Sequence, residues 1–156
     1  MSEKIFTSLA NATQEVLHLM LGVDAVAGGK STESLTLDSD EIVVCIGLTG
    51  DASEEVSYYY PKETALEFVR IMSGMEVDKV DEFVMSAVSE ISNIISGSAA
   101  TELSTQEIVC DILPPQVTLE SSGERVTDDS FAQNTHAIIK TLAGNMVLSL
   151  TGKRSS

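Results

Sequence analysis

The stretch from residue 78 to about residue 103 constrains the fold most, because its apolar side chains recur at helical spacing throughout. It predicts a helix of roughly 26 residues, close to 40 Å long at 1.5 Å per residue, which is long for a globular domain. Four side chains fall within roughly 60° of one another at about 100° per residue and predict its core face: Val84, Val88, Ile91 and Ile95.

The rest of the chain predicts two more helices and a series of strands. Residues 3–21 indicate a helix that ends before Gly22, and residues 62–73 a short helix after Pro61. Strands are predicted at residues 33–37, 41–49, 54–60, 106–113, 116–121, 134–143 and 145–152. We expect the first three to form an antiparallel meander, and the last two a hairpin that turns at Gly144-Asn145.

The resulting element order, αβββααββββ, predicts an α+β fold with long helices packed on one face of a mostly antiparallel sheet. At 156 residues the chain suits a single domain, residues 1–156. Because it has no Trp, four Phe and three Tyr, its core must be mainly aliphatic.

Charge and composition exclude several classes of partner. Nine Lys plus Arg against 24 Asp plus Glu give a formal charge of −15, which repels nucleic-acid phosphates and anionic membrane surfaces. The N-terminus lacks an apolar signal core, and no run approaches the roughly 18 to 20 apolar residues of a membrane span, so we expect a cytoplasmic protein. Cys45 and Cys110 each lie in an apolar stretch, which favours buried free thiols over a disulfide.

A polar stripe runs along the long helix, opposite its core face. Its members recur at i, i+4, i+7 and i+11 and span roughly 60°: Ser86, Glu90, Asn93 and Gly97. Ser, Asn and Gly each disfavour an exposed helix by up to about 1 kcal/mol relative to Ala, so the stripe needs a reason other than solubility. Phe83 and Ile94 at its margin either offer apolar area to a docking partner or pack under a neighbouring element.

The first helix repeats the same spacing 75 residues earlier. The repeated positions are Asn11, Glu15, His18 and Gly22, with His in place of Asn at the third position. This echo predicts an internal repeat with a local pseudo-two-fold relation between the two helices.

Glu15-x-x-His18 is also half of the pattern found in di-iron helix bundles, which requires a second Glu-x-x-His. The second copy reads Glu90-x-x-Asn93, and the other histidine, His136, lies in a predicted strand. A metal site is therefore disfavoured.

Residues 28–32, GGKST, match only the end of a phosphate-binding loop. Asp24 stands where that loop needs a glycine, and a helix rather than a strand precedes it, so we interpret the segment as a turn. No Gly-x-Ser-x-Gly elbow indicates a nucleophilic serine.

On these residues the chain resembles the CheX proteins of the CheC/CheX/FliY group of chemotaxis phosphatases. The resemblance rests on Glu90-Ile-Ser-Asn93, an E-x-x-N motif with Ser86 before it and Gly97 after it, and on the element order. CheC proteins commonly keep two E-x-x-N copies, and FliY adds a domain for which this chain has no room. One intact motif in a short chain fits CheX.

The resemblance implies a hydrolase of two-component signalling that removes the aspartyl phosphate of a CheY-type response regulator. It also implies a homodimer with a sheet continued across subunits, and a CheD-like protein is a further candidate partner. It implies no cofactor in this chain, because receiver domains bind Mg²⁺ beside their acceptor Asp. Because His18 stands where the motif has Asn, the copy on the first helix is interpreted as a degenerate second site.

The chemistry assigns different roles to the two motif residues. Asn93 is neutral, so it can orient the attacking water without bringing negative charge to the phosphoryl group. Glu90 would be repelled by the phosphate, and we expect it to dock on a regulator Lys while Ser86 and Gly97 shape the contact. The alternative is a non-catalytic module that binds a receiver domain through the same stripe. The aliphatic β-segments 107–119 and 134–150 are long for a chain this short, and an unpaired edge would be a liability, so we expect a dimer joined through strands.

Overall fold

A computed structural model describes residues 1–33, 40–120 and 131–153, with the side chains of 131–133 and 153 left out. Its first helix, α1 (Ser2–Leu21), agrees with the prediction. Gly22 ends this helix with φ 67°, and its N–H donates to the carbonyl of His18 at 2.9 Å. Glycine adopts this left-handed conformation without the steric cost of a Cβ.

Two helices occupy the middle of the chain. Helix α2 (Lys62–Ser73) follows Pro61 and ends at Gly74, as predicted. Helix α3 (Glu82–Ser104) starts later than the predicted residue 78, because the carboxylate of Asp81 caps it by accepting the N–H of Val84 at 3.0 Å.

Seven strands of the described residues form one antiparallel sheet. They are β1 (Ala25–Ala27), β2 (Glu41–Gly50), β3 (Glu54–Pro61), β4 (Cys110–Ile112), β5 (Gln116–Glu120), β6 (Phe131–Thr141) and β7 (Gly144–Lys153). The order across the sheet is β1-β6-β7-β3-β2-β4, and β5 also pairs with β2. The predicted α+β class and element order are confirmed.

The predicted meander is only partly correct. Strands β2 and β3 pair as expected, but residues 34–37 of the predicted first strand lie outside the described residues, and β2 has β4 and β5 as its other neighbours. The first strand that the structure describes is β1, whose three residues are too few to give a periodic signal. The predicted strand at residues 106–113 is reduced to β4 because a turn, with Glu107 at φ 62°, separates it from α3.

The β6–β7 hairpin turns at residues 142–143, so the turn predicted at Gly144-Asn145 was wrong by two residues. The Thr141 hydroxyl holds the turn by donating to the Gly144 carbonyl at 2.6 Å and accepting the Ala143 N–H at 3.0 Å. Gly144 itself begins β7 at φ 130°, where a Cβ would collide with Thr64.

Among the described residues, the helices and one face of the sheet enclose a large cluster of buried side chains that extends along the chain from Ile5 to Leu150, and Val43 and Tyr59 form a small separate cluster. The large cluster is consistent with the single domain expected for residues 1–156, which stays a prediction. Helix α1 packs against α3 as well as against the sheet margin. None of the helices in the described ranges is long and apolar enough to cross a membrane.

Strand pairing bears on the predicted internal repeat. The strand after α1, β1, pairs with residues 139–141 at the end of β6, and the strand after α3, β4, pairs with residues 48–50 at the end of β2. Strands β3 and β7 pair with each other between the two halves. This exchange is what a pseudo-two-fold would produce, but the repeat itself stays a prediction.

Candidate functional site

The core face of α3 is the one predicted from its periodicity. Val84, Val88, Ile91 and Ile95 are all fully buried. Two serines that the periodicity did not assign to the core, Ser92 and Ser96, are buried with them. These hydroxyls lie on the side of α3 that faces the sheet.

Both buried serines pair with tyrosines of β3. The Tyr60 and Ser92 hydroxyl oxygens are 2.7 Å apart, and those of Tyr58 and Ser96 are 2.8 Å apart. Two residues of a strand rise about 6.7 Å and four residues of a helix about 6 Å, so the two pairs match in spacing. Burial raises the pKa of both tyrosines, which keeps their hydroxyls protonated.

These four residues were missed by sequence reasoning. The available signal was a pair of hydroxyls at i and i+4 within the apolar side of α3, because a buried hydroxyl requires a hydrogen-bond partner. Burial of the apolar face already turns the polar stripe outward. The two bonds add specific hydrogen-bonded contacts between α3 and β3.

The predicted polar stripe occupies the outer side of α3. Ser86 and Glu90 are exposed, and Asn93 and Gly97 are half-buried. Among the described residues, neither Glu90 nor Asn93 has a side-chain hydrogen bond within the chain. The two lie about one helical turn apart, roughly 4.5 Å along the axis. A carboxylate and a carboxamide are thus presented together with their hydrogen-bonding capacity unused.

The margin of the stripe is apolar and open. Phe83 is 46% exposed and Ile94 37% exposed, so neither is packed away under a neighbouring element. At Gly97, an added Cβ would be 3.9 Å from the Cδ1 of Ile112, which is ordinary van der Waals contact. The packing of this chain therefore does not itself require glycine at position 97.

The matching stripe on α1 is also exposed, at Asn11, Glu15, His18 and Gly22. His18 Nδ1 lies 3.1 Å from Asp24 Oδ1, so part of its hydrogen-bonding capacity is used within the chain. Gly22 caps the end of α1, whereas Gly97 lies well inside α3. The fourth positions of the two stripes are consequently not structurally equivalent.

The GGKST segment runs beside β6. The Gly28 N–H donates to the Ile138 carbonyl at 2.8 Å, and Ser31 pairs with His136. Lys30 Nζ lies 3.5 Å from Glu3 and 5.9 Å from the centre of the Phe6 ring. The backbone and the lysine of this segment are therefore engaged by the chain itself.

Residues that could ligate a metal do not cluster within the ranges that the structure describes: no group of three or more His, Cys, Asp or Glu side chains is close enough to hold an ion. Cys45 and Cys110 are free thiols, as predicted, although both are half-buried rather than buried. Burial raises the pKa of each thiol, so neither is an activated nucleophile.

This chain is similar in sequence to one described protein family and to a characterised relative. The profile of the family described as chemotaxis phosphatase CheX matches residues 42–146. The CheY-P phosphatase CheX of Thermotoga maritima is 33% identical over 118 residues, covering 75% of this chain and 76% of the relative.

Two solved structures have the same fold. A CheC-like superfamily protein of Shewanella sp. PV-4 superposes with a TM-score of 0.85 at 20% identity, covering 97% of this chain and 98% of the other. The CheX–CheY–BeF3–Mg²⁺ complex of Borrelia burgdorferi matches with a TM-score of 0.74 at 23% identity, covering 96% and 97%.

Proposed function

The chain belongs to the chemotaxis phosphatase CheX family, and from this premise we propose that it hydrolyses the aspartyl phosphate of a CheY-type response regulator. The observation that carries the proposal is the placement of Asn93. Its carboxamide is half-buried on the outer side of α3, one turn from exposed Glu90, and has no hydrogen-bond partner among the described residues. Such a group is available to a water molecule at an interface with a partner.

Asn93 orients the attacking water in this mechanism. Hydrolysis of an acyl phosphate passes through a loose transition state, so the catalyst mainly positions water and manages charge. The carboxamide oxygen accepts a hydrogen bond from the water, while its NH₂ group can donate to a neighbouring oxygen. Because the group is neutral, it adds no repulsion to the anionic phosphoryl group.

Glu90 docks the regulator. A carboxylate beside the phosphoryl group would be repelled, but the exposed position of Glu90 lets it pair with a Lys at the edge of the interface. Phe83 and Ile94 supply apolar contact area, and Ser86 and Gly97 allow the partner to approach α3 closely. This docking brings Asn93 to the phosphorylation site.

The divalent ion belongs to the regulator. The relative from Borrelia burgdorferi was solved as a complex of CheX with CheY and Mg²⁺, and we propose the same partner for this chain, with Mg²⁺ held by the receiver domain. The negative phosphoryl charge is then managed by groups of the regulator. This chain contributes the orienting carboxamide.

The test is the decay of a phosphorylated CheY-type receiver with and without the protein. We expect the wild type to accelerate decay and Asn93→Ala to do so far less, while both bind the receiver. If Asn93→Ala accelerated the decay as much as the wild type does, the mechanism would be contradicted. Binding without any acceleration by the wild type would favour the alternative, a non-catalytic module that binds a receiver domain through the same stripe.

A further inference from the structure

The bond between Tyr60 and Ser92 anchors the turn of α3 that carries Asn93. Ser92 immediately precedes Asn93 in α3, and its hydroxyl oxygen is 2.7 Å from that of Tyr60. Both residues are fully buried. The next residue, Asn93, is rotated by about 100° and emerges half-buried at the outer side of the helix.

The direction of this bond follows from counting hydrogens. The Ser92 hydroxyl has a single hydrogen, which it donates to the Val88 carbonyl at 2.8 Å. Tyr60 must therefore donate to Ser92. Ser92 is thus held from two sides, by the preceding turn of its own helix and by the sheet.

We propose that Tyr60 and Ser92 are positioning residues for Asn93, an inference that rests on the function proposed above. A local displacement of the α3 turn that carries Asn93 would stretch the Tyr60–Ser92 bond, because Ser92 is the residue next to Asn93. Orientation of a reacting group is strict enough that a displacement of about 1 Å can lower a rate roughly 10²-fold. The sheet, through Tyr60, holds the water-orienting carboxamide at the height and angle that the reaction requires.

The first experiment compares two tyrosine variants by their kcat and KM for a phosphorylated CheY-type receiver. Tyr60→Phe removes the bond to Ser92, the residue next to Asn93. Tyr58→Phe removes an equally buried bond to Ser96, three residues beyond Asn93. In Tyr60→Phe we expect kcat to fall about tenfold and KM to change less than about twofold. In Tyr58→Phe we expect both kcat and KM to change less than about twofold.

The second experiment separates positioning from stability. Ser92→Ala leaves the Tyr60 hydroxyl buried without its partner, whereas Ser92→Ala combined with Tyr60→Phe removes both groups. We expect the double variant to recover much of the unfolding midpoint lost in Ser92→Ala while its kcat stays low. If kcat rises with the midpoint, the bond is only structural and the inference is wrong.

Turnover in Asn93→Ala, measured beside the tyrosine variants, distinguishes loss of positioning from absence of the proposed activity. Suppose that Asn93→Ala turns over slowly. If Tyr60→Phe then has the kcat of the wild type, or if the two tyrosine variants lose kcat equally, positioning by Tyr60 is overturned and the proposed function stands. Wild-type turnover in Asn93→Ala overturns the proposed function and this inference with it.

Discussion

The hydroxyl oxygen of Tyr58 on β3 lies 2.8 Å from that of Ser96 on α3, with both side chains almost fully buried. We predict that Ser96→Ala lowers the free energy of unfolding by about 1–3 kcal/mol, because the Tyr58 hydroxyl is left buried and unpaired. Tyr58→Phe added to Ser96→Ala should cost less than the sum of the single changes. Urea unfolding of the four proteins checks this, and additive losses would show that the pair is not coupled.

Asn93→Ala tests the chemical step. We expect kcat to fall by roughly 10²-fold or more while receiver affinity changes little, because the lost interaction is made mainly in the transition state. Single-turnover decay and a binding titration measure the two quantities separately. The control, Ile91→Ala on the fully buried face, should lower the free energy of unfolding by roughly 2–5 kcal/mol, whereas Asn93→Ala should leave stability almost unchanged.

Glu90 tests docking. We expect Glu90→Ala to weaken receiver binding by about 1–3 kcal/mol, and Glu90→Lys to weaken it further because two positive charges then meet at the interface. The same changes at Glu63, exposed on α2, alter net charge equally away from the stripe. If the Glu63 variants lose as much affinity in the titration, overall charge rather than a specific pair governs binding.

His18 tests the degenerate stripe on α1. We predict that His18→Ala keeps turnover within about twofold of the wild type, because an imidazole engaged with Asp24 replaces the carboxamide at the water-orienting position. The measurement is the same receiver decay. A loss in His18→Ala as large as that in Asn93→Ala would show that α1 carries a second working site.

Assembly depends on which strand edge is open. Residues 134–150 lie mainly in β6 and β7, each of which has a neighbour on both sides in the sheet order, so we place the expected strand pairing in the other segment, residues 107–119. Within the described ranges β5 pairs on one side only, with β2, and Leu119 on it is 54% exposed.

We predict a dimer joined along β5, because an open strand edge is a template for pairing with another strand. Leu119→Lys should shift the mass measured by light scattering toward the 16.6 kDa monomer. A wild-type protein that is already monomeric at working concentration would contradict this assembly.

The helices could be predicted because a helix is specified by neighbours in the chain. The period of apolar residues identified Ile91 as core and Glu90 as surface, and glycines at positions 22 and 74 marked where two helices end. The same periodicity showed that Asn93 and Glu90 share an outward stripe. Their chemistry as residue types suggested the roles proposed for them.

Pairings between distant residues could not be read in this way. The Tyr60–Ser92 and Tyr58–Ser96 bonds join residues 32 and 38 positions apart, and nothing local to either partner identifies the other. The neighbours of β2, and which of the described strands pair on one side only, depend on the same long-range pairing. The sequence by itself determined the elements and the candidate residues, because their signals are periodic and local. Only the tertiary structure decided how α3 is held against the sheet and how the described strands are ordered within it, because those contacts exist only once the chain has folded.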